Sequence, residues 1–169
     1  MRCCHKPLYN EYEVVTNGNI FKRIHDLRVD NDLKQKEIAS MLKVNVNTYP
    51  HWESGMYEIP IEMVDKLSKF YNCSIDYLTG LSKDRGVFIN YFNSEEMFIR
   101  LKRLRKENNL SQYEIGSKLG FGQMNWCRYE SRKVLIPFSK LYLVTKEFNI
   151  SLDYLMGKTD DKNIKIMTH

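Results

Sequence analysis

The chain of 169 residues repeats its own sequence after an interval of 77 positions. Residues 20–84 align with residues 97–161 without a gap, and about a third of the aligned positions are identical. For example, NCSIDYLTG at 72–80 falls on NISLDYLMG at 149–157. Self-similarity at a fixed period indicates repeated structural units. The sequence therefore predicts two copies of one small unit rather than a single larger domain.

Helix start and stop signals predict five short helices in each copy. In the second copy, Ser94 is placed as the first N-cap, and Ser111 with Glu114 forms an S-x-x-E capping box. Gly120 ends the second helix, and Ser151 caps the fifth. The second helix, a turn of three or four residues and the third helix have the helix-turn-helix spacing. The predicted fold class is all-α.

The repeat also suggests how the chain is divided. We expect an N-terminal segment (1–19), a first helix-turn-helix domain (20–82), a linker (83–96), a second helix-turn-helix domain (97–159) and a C-terminal tail (160–169). The N-terminal segment and the linker are unusually apolar and β-prone, which predicts either a small β element or a cover over the contact between copies.

Composition and motifs exclude several classes of protein. No apolar run approaches the roughly 18 residues of a membrane span, and no secretory signal precedes the repeat. The four cysteines lack zinc-site spacing, no phosphate-binding glycine loop is present, and no histidine pairs with a nucleophile. We therefore expect a cytoplasmic protein without catalysis, metal, cofactor or membrane association.

The motifs of both copies resemble those of the Cro/cI-type helix-turn-helix regulators, the XRE family. The pattern is L-[ST]-Q-x-E-[IL]-[AG], then a recognition helix ending near [WY]-E-S, then x-P and S-[IL]-D-Y-L-x-G. The resemblance covers most of the chain, twice and in the same order. It implies two lambda-repressor-like domains of bacterial or phage type, and operator binding, usually by a two-fold dimer, that regulates transcription.

The resemblance also assigns residues to roles. The positions that match the family's DNA-contacting residues are Gln112, Gln123, Met124, Asn125, Arg128, Ser131 and Lys133 in the second copy, and Gln35, Asn47, Thr48, His51 and Ser54 in the first. Gln112 and Gln35 are expected to contact phosphate and to brace the recognition helix. The family pattern also implies two structural ion pairs, Arg105 with Glu130 and Arg28 with Glu53.

The two copies differ in charge and in local chemistry. Residues 97–161 hold 12 basic and 7 acidic side chains, a net charge of +5, whereas residues 20–84 hold 9 and 10, a net charge of −1. In the basic run 100–106, Arg100 and Arg103 are expected to share an outward face. In the first copy, Pro50 falls inside the expected recognition helix, where proline is unfavourable. One solution is a helix that starts late, with Asn47 as its N-cap and Pro50 in its first turn.

These differences predict that the second copy is the main DNA reader, and they leave two questions open. The linker is long enough for one chain to reach two half-sites, but a homodimer carrying four copies fits the sequence equally well. The acidic first copy is also compatible with a protein that acts mainly on a protein partner, of the antitoxin or anti-defence type, and uses DNA binding for autoregulation.

Overall fold

The computed structural model describes residues 22–165, and the regular secondary structure in this part of the chain is entirely helical. It contains ten helices in two sets of five. The first set is α1 (22–30), α2 (Gln35–Leu42), α3 (Thr48–Glu53), α4 (Ile61–Tyr71) and α5 (Ile75–Leu78). The second set is α6 (Ser94–Glu107), α7 (Gln112–Lys118), α8 (Gln123–Glu130), α9 (Phe138–Phe148) and α10 (Leu152–Leu155). The predicted all-α tandem fold is confirmed.

The expected β element does not form in the described residues. No strand occurs within 22–165, and the segment 1–19, the other half of that prediction, lies outside them. In the linker, the Phe88 N–H donates to Asn72 Oδ1 at 3.2 Å and the Phe92 N–H donates to Asp65 Oδ2 at 3.1 Å. Backbone donors that are satisfied by side chains are not free to pair in a ladder. Both phenylalanines are half-buried, so the linker partly covers the domain contact.

Capping chemistry sets most helix ends of the second domain as the sequence predicts. Ser111 and Glu114 form a reciprocal capping box, with contacts of 3.1 and 2.7 Å. Ser151 accepts the Tyr154 N–H at 3.1 Å. The prediction for Ser94 is wrong, because Asn93 is the N-cap of α6 and accepts the Glu96 N–H at 3.2 Å. Asparagine and serine are about equally good caps, so adjacent candidates cannot be ranked by propensity.

The first domain has the same order of helices, with less typical residues at some helix ends. Helix α3 begins at Thr48 after Asn47, so Pro50 lies in its first turn, and the predicted late start is confirmed. Proline is tolerated there because the first N–H groups of a helix have no intrahelical partner. Lys43 ends α2 with φ 58°, the left-handed conformation that Gly120 takes with φ 68°. Helix α2 therefore begins and ends with less favourable residues than α7, with Lys34 in place of Ser111 and Lys43 in place of Gly120.

The buried apolar residues of the two domains form one continuous core. Ile38, Leu42 and Tyr49 are buried in the first domain, and Ile115 and Trp126 are buried in the second. In residues 22–165 there is no helix with the length and apolar character required to cross a bilayer. Helices α2 and α3 pack on this core as one helix-turn-helix unit, and helices α7 and α8 pack on it as a second.

The domains contact each other through α5 and α10, together with the chain that follows each of these helices. The Leu152 N–H donates to Asp76 Oδ1 at 2.7 Å, and the Asp76 N–H donates to Asp153 Oδ2 at 3.0 Å. Lys158 and Asp65 form a buried ion pair across the same contact. The linker is therefore not the only connection between the domains.

Candidate nucleic-acid interface

The turn between α7 and α8 is compact because a glycine lies where the two helices meet. A Cβ atom on Gly116 would approach the carbonyl carbon and oxygen of Gly122 to 2.7 Å, which no side chain can occupy without backbone movement. The Gly116 carbonyl accepts the N–H groups of Phe121 at 2.8 Å and Gly122 at 3.0 Å. The start of α8 is thus held tightly against α7.

Helix α8 has a buried face and an exposed face. Trp126, Tyr129 and Glu130 are buried, which leaves the opposite side for solvent. The exposed residues of α8 are Gln123, Met124, Asn125, Cys127 and Arg128. Four of these are predicted site residues, and the structure brings them together on one surface. Cys127 was not predicted, although it lies four residues after Gln123 and helical spacing places it on the same face.

The side chains on this face differ in what they are free to bind. The Asn125 amide donates to the Phe121 carbonyl at 2.9 Å, so it is partly engaged in holding the turn. Gln123 and Arg128 make no side-chain hydrogen bond to any residue in the described part of the chain, which leaves their donors available. Met124 is 77% exposed and presents an apolar end.

Glu130 links the exposed helix to the rest of the second domain. Its carboxylate accepts from Arg105 Nη2 at 3.0 Å, Gln112 Nε2 at 2.8 Å and Trp126 Nε1 at 2.7 Å. Burial alone favours the neutral acid, but these three donors outweigh burial and hold the pKa of Glu130 below its ordinary value. The orientation of α8 therefore depends on a shared charged group, and Gln112 braces the helix through it.

The first domain repeats this arrangement with one donor fewer. Arg28 Nη2 donates to Glu53 Oε1 at 2.8 Å, and Gln35 Nε2 donates to Glu53 Oε2 at 3.1 Å. Tyr49 occupies the position of Trp126, and its buried hydroxyl meets no partner with normal hydrogen-bond geometry in residues 22–165. Helix α3 is therefore braced by the same kind of ion pair but by a less complete network.

The candidate reading positions of α3 are less accessible than those of α8. Asn47 and Ser54 are exposed, whereas Thr48 and His51 are half-buried. The His51 ring lies 4.8 Å from the Tyr57 ring, centroid to centroid. With six residues against the eight of α8, α3 presents a shorter surface.

The residues after each recognition helix also have defined positions. The hydroxyls of Ser131 and Ser54 donate to the carbonyls of Arg128 at 3.3 Å and His51 at 3.2 Å, so they help to close the helix ends. Lys133 is exposed beside Ser131. These groups flank the exposed face without covering it.

The expectation that Arg100 shares an outward face with Arg103 is wrong. Arg100 is only 5% exposed and donates to the Tyr154 carbonyl at 2.6 Å and to Asp160 Oδ1 at 2.8 Å. Its guanidinium group also lies 4.4 Å from the centre of the Tyr154 ring. Three other basic side chains of the run, Lys102, Arg103 and Lys106, are exposed.

Comparison with known proteins agrees with this geometry. A family model described as Helix-turn-helix matches residues 24–78, and a second, described as Helix-turn-helix domain, matches residues 99–161. No solved structure is significantly similar to the chain.

Two similar proteins are described as regulators of transcription. An uncharacterized HTH-type transcriptional regulator, YobD of Bacillus subtilis, is 31% identical over 67 residues, which cover 40% of this chain and 60% of the relative. The transcriptional repressor RstR of the cryptic phage CTXphi of Vibrio cholerae is 43% identical over 61 residues, covering 36% of this chain and 55% of the relative. The aligned region is thus little more than half of each relative. The chain carries two helix-turn-helix domains in tandem.

Proposed function

We propose that this protein is a sequence-specific regulator of transcription, of the repressor type, that binds double-stranded DNA chiefly through α8. The observation that carries the proposal is the exposed face of α8, where no residue of 22–165 engages the side-chain donors of Gln123 and Arg128 and where Glu130 braces the helix. The similarity to a phage repressor supports the same function. No catalytic role is proposed.

The side chains of α8 suit the edges of base pairs in the major groove. An arginine such as Arg128 can donate two hydrogen bonds to O6 and N7 of guanine, and a glutamine such as Gln123 can pair with N6 and N7 of adenine. Met124 has no strong donor but can contact the methyl group of thymine. Together these residues favour direct reading of a short base sequence.

Charge supports the second domain as the main reader. Its repeat unit, 97–161, has a net charge of +5 against −1 for 20–84. Exposed Lys102, Lys106 and Lys133 lie in this unit, and phosphate attraction supplies most of the non-specific affinity of proteins for DNA. The first domain then contributes less to overall affinity.

A second candidate function is binding of a protein partner by the first domain. Three apolar side chains around α3 are exposed, namely Val46 at 57%, Met56 at 65% and Tyr57 at 56%. Exposed apolar side chains that form a patch are typical of protein interaction sites. In this alternative, DNA binding serves autoregulation and the first domain acts on the partner.

The full-length chain tests the proposal. Selection from a random duplex library should enrich a defined sequence, and Arg128→Ala should relax base preference while the fold is unchanged. Gln112→Ala should weaken binding to all duplexes alike. Six phosphate contacts give a slope of about −5 when log affinity is plotted against log salt concentration. A flat slope with weak, unselective binding would contradict the proposal and favour the protein-partner function.

A further inference from the structure

The two domains meet through equivalent positions of the repeat. Asp76 and Asp153 are 77 residues apart, and each accepts a backbone N–H from the start of the other domain's fifth helix. Both carboxylates are almost fully buried, at 5% and 4% exposed. A contact in which one position serves both sides is isologous and implies a two-fold axis. The single chain thus contains an approximate internal two-fold axis.

The chain after the two fifth helices follows the same symmetry. The Ser74 N–H donates to the Arg85 carbonyl at 3.0 Å, and the equivalent Ser151 N–H donates to the Lys162 carbonyl at 2.9 Å. These paired bonds place matching loops on either side of the contact. The symmetry therefore extends beyond the two aspartates.

One ion pair without a symmetric counterpart holds the domains in this arrangement. Lys158 and Asp65 pair across the contact with side chains 0% and 6% exposed, whereas the equivalent positions are Leu81 and Tyr142. Both side chains are enclosed in the contact, so a shifted arrangement that kept them buried would leave each charge without its partner, which is strongly unfavourable. The two recognition helices are therefore held at one spacing.

The recognition helices that the axis relates are chemically different. Where α8 presents Gln123, Met124 and Arg128, the equivalent residues around α3 are Val46, Asn47 and His51. A dimer of identical chains presents the same side chains twice and reads a palindrome. This chain presents two different sets.

We propose that one chain, acting alone, binds two unlike half-sites at a fixed spacing on one duplex. The inference rests on the proposed function, because it takes α8 to be a DNA reader. B-DNA has its own local two-fold axes, and two-fold related readers match half-sites one helical turn apart, about 10–10.5 base pairs. The target is then a non-palindromic sequence of two elements, with the stronger element under α8 and the weaker under α3.

Selection with the full-length chain, followed by native mass spectrometry, tests the stoichiometry and the symmetry. We expect an enriched sequence with two different elements at one spacing, bound by one chain per duplex. A palindrome bound by two chains would overturn the inference but leave the proposed function intact. Enrichment of a single sequence element whose recognition depends on Arg128 would also overturn the inference and leave the proposed function intact. Failure to enrich any sequence would contradict the proposed function itself.

Spacing and paired substitutions test whether both helices read DNA at once. Inserting about five base pairs between the elements, half a helical turn, should lower affinity to that of the single stronger element. Arg128→Ala should relax base preference in one element only, and affinity for duplexes with the preferred base should fall about ten-fold. His51→Ala should relax base preference in the other element only. Unchanged affinity after the insertion, or an effect of both variants on the same element, would overturn the inference.

Discussion

Asp76 and Asp153 cap each other's helices across the contact between the domains. The Asp76 carboxylate accepts the Leu152 N–H at 2.7 Å, and the Asp153 carboxylate accepts the Asp76 N–H at 3.0 Å. Carboxylates at helix N-termini are stabilised by the helix dipole, but burying two of them side by side opposes ionisation. This pair makes the domain contact sensitive to pH.

The first prediction concerns stability between pH 5 and pH 8. Burial, and then the charge of Asp153, raise the pKa of Asp76 to about 7, and burial raises the pKa of Asp153 as well. Between the ordinary pKa of an aspartate and about pH 7, the folded protein holds a proton that the unfolded chain has released. Stability therefore falls as pH rises through this window and levels off above it. We expect the free energy of unfolding to decrease by on the order of 3 kcal/mol, measured by urea denaturation.

Asp76→Asn provides the control for this pH dependence. Asparagine keeps an acceptor for the Leu152 N–H but does not titrate, so the variant should show a shallower slope than the wild type. Asp153 is left to supply the remaining dependence. Equal slopes in the two proteins would show that Asp76 is not the group responsible.

The second prediction concerns the ion pair beneath α8. Arg105→Ala leaves the buried Glu130 carboxylate without its guanidinium partner, and such a loss costs about 3–5 kcal/mol. We expect the variant to unfold at much lower denaturant concentration rather than simply to bind DNA less well. Arg103→Ala removes an exposed arginine from the same helix and should change stability by less than about 0.5 kcal/mol. Similar losses in both variants would contradict the role of the pair.

The sequence predicts the helices better than it predicts the contacts between the domains. Local signals such as Ser111 with Glu114 lie within one turn of the helix they start, so sequence neighbours suffice to identify them. The roles of Arg100 and Lys158 depend on residues 54 and 93 positions away, at Tyr154 and Asp65. Spacing in the sequence carries no information about such pairs.

A clue to Arg100 nevertheless exists in the repeat. The equivalent position of the first copy also holds an arginine, Arg23. Its guanidinium carbon lies 4.5 Å from the centre of the Tyr77 ring, and that of Arg100 lies 4.4 Å from the centre of the Tyr154 ring. An arginine and a tyrosine that both recur in two copies of opposite net charge indicate packing rather than phosphate binding. The sequence carries no comparable sign of the contact between the domains. Asp76 and Asp153 have the positions of ordinary acidic residues in the first turn of a helix.

The third prediction concerns the turn of the second domain. Gly116→Ala places a Cβ atom 2.7 Å from the Gly122 carbonyl, so the start of α8 has to shift. We expect a loss of about 1–3 kcal/mol of stability, together with weaker DNA binding. The first domain has Ala39 at the equivalent position, and Ala39→Gly should cost about 2 kcal/mol, from helix propensity and the loss of a buried methyl group. Thermal denaturation of both variants compares the two sites, and a neutral Gly116→Ala would show that the turn has room.

The fourth prediction concerns a residue in an unfavourable backbone conformation after α8. Arg132 has φ 63°, and the equivalent residue of the first domain is Gly55 with φ 74°. A side chain in the left-handed region costs roughly 1–2 kcal/mol, whereas the exposed ion pair of Arg132 with Glu95 contributes little. Arg132→Gly should therefore stabilise the protein by about 1 kcal/mol, measured by chemical denaturation. Arg132→Ala loses the ion pair but keeps the strained conformation, so it should not stabilise, and equal gains in the two variants would contradict the explanation.

The fifth prediction concerns a buried hydroxyl in the first domain. Burial raises the pKa of the Tyr49 phenol well above its ordinary value, and the nearby Arg28 guanidinium group lowers it by less. Among the described residues the hydroxyl meets no partner with normal hydrogen-bond geometry. An unpaired buried polar group costs about 1–3 kcal/mol, so Tyr49→Phe should leave stability unchanged or increase it. The Trp126 side chain shows the contrast, because its N–H donates to Glu130 at 2.7 Å. Trp126→Phe removes that donor and should destabilise the second domain by more than about 1 kcal/mol in the same denaturation assay. A clear loss of stability in Tyr49→Phe would mean that the hydroxyl is paired after all.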